Sequence, residues 1–197
     1  MNDNVARLVQ HMRALEEELE AEFDKQRRQF HYRIERNRVR FEAQARDYQR
    51  RLRKGVLRYL AGMELRDLIA APFIYAMIVP FVLLDISLAI YQLVICKAYG
   101  IPRVRRSDFI VIDRHNLAYL NGIEKLNCVY CGYGNGLASY AKVIASRTEQ
   151  FWCPIKHARR VAQPHSRYPR FFDYGDADSY REGLEALREN LVEHKTK

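Results

Sequence analysis

A chain of 197 residues can hold one or two small domains, and its four cysteines are too few for a disulfide scaffold of this size. The formal net charge of +9 calls for an acidic partner. Much of the excess Lys and Arg flanks one apolar run, where anionic lipid headgroups attract each such residue by about 1 kcal/mol. We therefore expect membrane lipids, and no nucleic acid, as the partner.

Residues 1–66 are predicted to form one long amphipathic helix, because they are rich in good helix formers and contain no Pro. Their apolar side chains recur at a step that gives about 3.67 residues per turn, typical of a nearly straight helix roughly 90 Å long. We expect a homo-oligomeric coiled coil through residues 8–63, with a membrane-surface helix as the alternative. The main apolar track is Leu8, Leu19, Phe30, Phe41, Leu52 and Met63, at a step of eleven residues.

Residues 67–99 are assigned to the membrane, because residues 68–96 are apolar apart from Asp85. One helical crossing needs about 20 apolar residues, so the run is longer than one span and short of two. We favour a hairpin that turns around Pro80 to Asp85, because basic residues flank both ends and collect on the cytoplasmic side of membranes. The alternative is a single tilted span, which places Asp85 near the bilayer centre at a cost of roughly 2.5–3.5 kcal/mol.

Residues 100–175 are predicted to form a small helical domain that binds a metal ion. The run of β-formers at residues 109–112 indicates one short strand. A helix is expected to follow, with Asp113 or Asn116 as its N-cap and its end near Asn127.

The segment CGYGNG, which begins at Cys131, is predicted to be a tight turn whose glycines tolerate positive φ. Another helix is expected over residues 137–151, where apolar residues recur at helical spacing. Residues 176–197 are predicted to form a C-terminal amphipathic helix that opens on a capping box at Ser179 and Glu182.

Three cysteines and one histidine have the spacing of a zinc site: Cys128, Cys131, Cys153 and His157. The first two form a knuckle, and the last two share one face of a helix predicted to begin at the Cys153-Pro154 step. Together they supply the Cys3His tetrahedral set typical of structural zinc, which leaves no open position for catalysis. We predict zinc, with iron as the alternative, as a source of folding energy for the small domain.

Two other interpretations of these residues stay open. Cys128 and Cys131 also match a redox Cys-x-x-Cys pair, in which a helix N-terminus would activate one thiolate. His165 is a possible replacement for His157 as the fourth ligand. Bound iron, or a redox-active Cys128–Cys131 pair, would make the chain an iron- or thiol-based redox protein.

An acid/base group near the membrane face is the third chemical hypothesis, with Asp113, His115 and Glu124 as its members. The simpler interpretation is that Asp113 caps a helix and that Glu124 is solvated. The sequence contains no P-loop, GxGxxG or HExxH motif, so it identifies no catalytic residue.

Three segments carry a resemblance to a known group: IPRVRR from Ile101, CVYCGY from Cys128 and WCPIKH from Trp152. Together they resemble an uncharacterised family of bacterial membrane proteins, over roughly residues 70–175. The resemblance brings no established activity with it. It implies the bacterial inner membrane. The basic flanks of the apolar run predict that the soluble parts face the cytoplasm.

The expected fold is therefore mainly α, with a long N-terminal helix, a membrane hairpin or span, and a zinc-stabilised helical domain. The predicted function is a membrane-anchored assembly or scaffold protein with lipids, copies of itself and a possible membrane protein as partners. The alternative is a monotopic enzyme that acts on a lipid-linked or membrane-surface substrate.

Overall fold

The computed structural model describes residues 3–35 and 38–193, and the side chains of residues 11, 14–35 and 39–192. The chain is mainly helical, as predicted. It divides into two compact units. The first unit comprises Met1–Gly62 and Asp113–Asn127, and the second comprises Met63–Ile112 and Cys128–Lys197.

The first unit begins with helix α1, Asp3–Gln29, which ends just before His31 adopts a left-handed backbone with φ of 54°. An antiparallel hairpin follows, formed by β1, Tyr32–Glu35, and β2, Arg38–Phe41. The continuous helix predicted over residues 1–66 is therefore wrong. Apolar residues alternate with polar ones in this hairpin, which suits a strand and not a helix.

Two short helices complete the N-terminal part of the first unit: α2, Ala43–Arg51, and α3, Val56–Ala61. The hairpin and these breaks interrupt the eleven-residue repeat, so its later members do not share one helix face. Of the main apolar track, only Leu19 lies among the described side chains of α1, where it forms an i, i+4 row with Leu15 and Phe23. The side chain of Leu8 lies outside the described ones.

The predicted membrane segment is helical throughout in the second unit. Helix α4, Leu65–Ala76, is followed by α5, Ile78–Tyr91, and by a π-helical turn, Gln92–Cys96. We call the whole element Leu65–Cys96 the apolar helix. Among the described residues it is the one helix long and apolar enough to cross a membrane.

The hairpin turn predicted around Pro80 to Asp85 is wrong, because both residues lie within α5. Pro80 is the third residue of that helix, and the first turn tolerates Pro since its N–H groups have no helical partner. The only interruption is the residue between α4 and α5, Met77, whose N–H bonds to the carbonyl of Ile74 at 3.3 Å.

Helix α6, Gly122–Trp152, is the longest uninterrupted α-helix among the described residues, and it overturns several local predictions. It starts at Asn121, whose side chain accepts hydrogen bonds from the N–H groups of Ile123 and Glu124, and not at Asp113 or Asn116. It continues through CGYGNG, so the predicted turn there is wrong. The helix predicted over residues 137–151 is confirmed as its second half.

Gly134 and Gly136 of α6 allow close packing against neighbouring elements and do not form a turn with positive φ. A Cβ atom built on Gly136 would lie 2.6 Å from the carbonyl oxygen of Phe109 and 2.9 Å from the Cα of Ile110. A Cβ on Gly134 would lie 2.8 Å from the ring of Phe81. Gly136 therefore lets the loop at Phe109 and Ile110 approach α6, and Gly134 lets α5 do the same. Residues 109–112 belong to this irregular loop, so the strand predicted there is wrong.

The core of the second unit lies between the apolar helix, the loop after it and α6. One buried cluster includes Val104, Ile110 and Leu137, and a second joins Ile101 to Leu191. Leu191 belongs to the final helix α7, Ala177–Glu193, which confirms the predicted C-terminal amphipathic helix.

Two local details near the C-terminus differ from expectation. The carboxylate of Asp176 accepts the N–H of Ser179 at 3.1 Å, so α7 begins ahead of the predicted capping box. No helix begins at Cys153, because the chain there forms a parallel bridge between Ile155 and Phe172.

Candidate functional site

The apolar helix is held to α6 by a row of hydrogen bonds on their facing surfaces. All the α6 members of this row are side chains that carry hydroxyl groups. We call this row the polar ladder. Tyr130 donates to the carbonyl of Ile74 (2.5 Å), Tyr133 donates to Asp85 (3.0 Å), Tyr140 accepts from Gln92, and Thr148 shares a hydrogen bond with Tyr91 (2.8 Å).

Asp85, the charge within the apolar run, is paired with a residue of the loop that follows. The guanidinium of Arg106 donates to its carboxylate through Nη2 at 2.7 Å and through Nε at 3.1 Å. The side chain of Asp85 is 15% exposed and that of Arg106 is 50% exposed. The ion pair is therefore open to solvent on the Arg106 side, about two thirds of the way along the apolar helix.

Gln92 links the apolar helix to the same loop. Its side chain is buried, and its Oε1 accepts the backbone N–H of Val104 at 2.7 Å while its Nε2 donates to Tyr140. Gln92 opens the π-helical turn, a geometry that often occurs at functional positions. The turn places an amide where it satisfies a buried backbone donor.

The opposite side of the apolar helix is apolar and exposed along its whole length. Its side chains lie within an arc of about 160° around the helix axis, so they form one broad face. We call this the exposed face. Its members include Ile69 (60% exposed), Phe73 (75%), Val79 (60%), Leu83 (60%), Ile86 (52%), Ile90 (58%) and Leu93 (58%).

The four predicted metal ligands are not brought together. Cys128 and Cys131 lie on α6, whereas Cys153 follows the end of that helix. At about 1.5 Å per residue, the helix separates the first pair from Cys153 by roughly 33 Å. His157 stacks its ring on Tyr168, and its backbone N–H donates to the Tyr168 hydroxyl at 2.7 Å.

Within the described residues, no group of three or more His, Cys, Asp or Glu side chains is placed to hold a metal ion. One site built from all four predicted ligands of a single chain would require α6 to break between Cys131 and Cys153. The structure therefore gives the zinc and iron hypotheses no geometric support, and they stay predictions.

The acid/base hypothesis also finds no shared site. Glu124 accepts the backbone N–H of Asn121 at 2.8 Å and so completes the N-terminal cap of α6. A cavity of about 380 Å³ in the first unit is lined by Asp113 and aromatic side chains, but not by His115 or Glu124. Arg114 and Gln49 also line this cavity, so Asp113 lies there without the other two members of the predicted group.

A polar cluster near the end of α6 had no signal in the sequence. His165 bonds through Nε2 to Glu149 at 2.9 Å, and Arg167 donates to Gln150 at 2.5 Å. Arg147 donates to the backbone carbonyl of Pro102. Burial lowers the pKa of Arg147 and that of Arg167. The partners are 16 and 17 positions apart, so no local motif could have paired them.

No protein-family model, no curated protein and no solved structure matches the chain. The resemblance to a bacterial membrane-protein family therefore stays a prediction.

The Asp85–Arg106 pair is expected to stabilise the second unit. Arg106→Ala should lower the free energy of unfolding by about 1–2 kcal/mol, because a mostly buried carboxylate loses its cation while solvent screens part of the effect. A double-mutant cycle with Asp85→Asn, measured by chemical denaturation in detergent, should give a coupling energy of at least about 0.5 kcal/mol. Additive effects of the two substitutions would show that the pair is unimportant.

Proposed function

We propose that this protein is a membrane-anchored assembly protein at the cytoplasmic face of the bacterial inner membrane. The exposed face of the apolar helix is the observation that carries the proposal. It offers lipid a charge-free surface, and the chain places basic residues on both sides of it, including Arg66 and Lys97. Anionic headgroups attract such flanking residues.

The size of the exposed face supports lipid as the partner. From Leu65 to Val94 it is roughly 40 Å long and about 10 Å wide by helix dimensions. Contiguous apolar patches of several hundred square ångströms mark interaction sites in soluble proteins. Each fully buried Leu, Ile or Phe contributes about 1.5–3 kcal/mol, so several such side chains suffice for stable attachment.

The assembly part of the proposal rests on α1. Leu15, Leu19 and Phe23 are spaced by four residues on this helix and are 50%, 56% and 44% exposed. An apolar stripe on an otherwise charged helix requires a partner. A second copy of the chain is the proposed partner for this stripe, and a membrane protein is the alternative.

Membrane attachment is tested by flotation of the purified full chain with vesicles of phosphatidylcholine and phosphatidylglycerol. The chain should float with the vesicles, and Leu83→Arg should weaken its partitioning at least tenfold, about 1.4 kcal/mol, because a guanidinium then replaces an apolar contact with the acyl chains. Ser139→Arg is the matched control, since Ser139 is an exposed residue of α6. Equal flotation of both variants would contradict the proposal.

Assembly is tested by sedimentation equilibrium in detergent. The parent chain should sediment as an oligomer, and the double variant Leu15→Ser, Leu19→Ser should sediment as a smaller species. The double variant Glu16→Ser, Glu18→Ser on the same helix is the control, because it leaves the apolar stripe intact. A parent chain that is already monomeric would remove self-association from the proposal.

A further inference from the structure

The charge distribution limits how the apolar helix can meet a membrane. Its longest uncharged stretch lies between Asp67 and Asp85 and contains 17 residues. At about 1.5 Å per residue this stretch is roughly 26 Å long, whereas the hydrocarbon core is about 30 Å thick. A span perpendicular to the membrane would therefore place a charged residue inside the hydrocarbon core at one end of the stretch. A tilted span would place more of the flanking charged residues there.

The polar ladder strengthens this limit. It connects the apolar helix to α6 from Ile74 to Gln92, a distance of roughly 27 Å along the axis. A span would carry this part of α6 into the bilayer together with the apolar helix. The exposed positions of α6 over the same length include Asn135, Ser139 and Lys142, which are polar.

Arg106 adds a further cost. It is half-exposed on the ladder side of the helix, where it holds Asp85. Charged side chains at the bilayer centre cost about 2.5–3.5 kcal/mol each on insertion scales. Loop residues Arg103 and Arg105 are exposed nearby in the chain and would approach the same region.

We propose that the apolar helix lies in the plane of one leaflet, with the exposed face toward the acyl chains and the polar ladder toward the headgroups and water. This inference rests on the membrane attachment proposed above and specifies its geometry. In this orientation the exposed face reaches lipid along the whole length of the apolar helix. Arg103, Arg105 and Arg106 stay at the level of the phosphates, as cationic residues of interfacial helices do.

A flat helix and a span differ in the depth profile along the exposed face. Ile69, Val79 and Ile90 lie on this face within about 80° of one another around the helix axis and are almost equally exposed. In a flat helix their depths are similar. In a span, Val79 is near the bilayer centre and the other two lie about 15 Å away along the axis.

The test uses tryptophan fluorescence of the full chain in phosphatidylcholine and phosphatidylglycerol vesicles. In a Trp152→Phe background, single tryptophans are placed by Ile69→Trp, Val79→Trp and Ile90→Trp. The vesicles carry lipids brominated either near the headgroup or near the chain end. We expect all three tryptophans to be quenched more strongly by the shallow bromines, with similar ratios of shallow to deep quenching.

Two other results have distinct meanings. Deep quenching of the tryptophan at position 79 with shallow quenching at 69 and 90 would overturn the flat orientation and establish a span. Absence of quenching at all three positions would refute membrane attachment itself. Asn135→Trp, on the exposed polar surface of α6, is the control and should stay unquenched in the flat orientation.

Discussion

Gly136→Ala is expected to lower the free energy of unfolding by about 2 kcal/mol, which lowers Tm by roughly 4–8 °C in a chain of this size. The new methyl group would lie 2.6 Å from the carbonyl oxygen of Phe109 and 2.9 Å from the Cα of Ile110. Because both atoms belong to the backbone, the loop has to move away from α6. The loss exceeds the gain of about 1 kcal/mol that alanine brings to a helix.

Two glycines of the same helix are matched controls for this substitution. At Gly134 the new Cβ would meet the tip of the Phe81 ring, which can rotate aside, so the loss should be smaller. Nothing lies within 4 Å of a Cβ at Gly122, so Gly122→Ala should not destabilise the chain. Equal stability of the three variants in chemical denaturation would show that α6 and the loop do not pack as described.

Gln92→Leu is expected to cost about 3 kcal/mol, although leucine has a similar volume and is more apolar. The substitution leaves the backbone N–H of Val104 and the hydroxyl of Tyr140 buried without their partner. An unsatisfied buried polar group costs about 1–3 kcal/mol. The measurement is the midpoint of chemical denaturation in detergent, monitored by tyrosine fluorescence or circular dichroism.

Tyr140→Phe separates the two bonds of Gln92. It removes the hydroxyl but leaves the bond from Gln92 to Val104, so it should cost only about 1 kcal/mol. If Gln92→Leu proves as stable as the parent chain, the amide at this position does not hold the loop against the apolar helix.

The sequence was enough to identify the apolar segment, because uniform apolarity needs no distant partner, but the hairpin that it favoured is wrong and the structure has one apolar helix in its place. What it could not predict was the absence of a turn at Pro80, since the same proline suits a hairpin and the first turn of a helix. In the structure Asp85, at the end of the predicted turn, is paired with Arg106, which is 21 positions away. Such a contact leaves no periodic signal.

The β-hairpin of the first unit was missed for a different reason. An eleven-residue step selects one residue per three helical turns and ignores the residues between them. In this segment the alternation of Tyr32, Ile34, Val39 and Phe41 was the better signal, because side chains of a strand have a period of two.

The cysteine spacing was ambiguous from the start. Cys128 and Cys131 are three positions apart, which suits both a metal knuckle and neighbouring residues of one helix. Glycines after Cys131 favoured the turn, but in the structure they provide close contacts for α6. Local spacing could not distinguish these roles, because the atoms that need the space belong to a distant loop.

The most direct test of the central claim identifies what covers the exposed face. A photo-crosslinking phenylalanine analogue is placed at Phe73, the most exposed of the residues that define the face, and the full chain is irradiated in membranes that contain radiolabelled phospholipid. We expect lipid to be labelled from this position, and not from the same analogue at Asn135 on α6. Cross-linking from position 73 to protein alone would show that the exposed face is a protein interface, and would contradict membrane anchoring through the apolar helix.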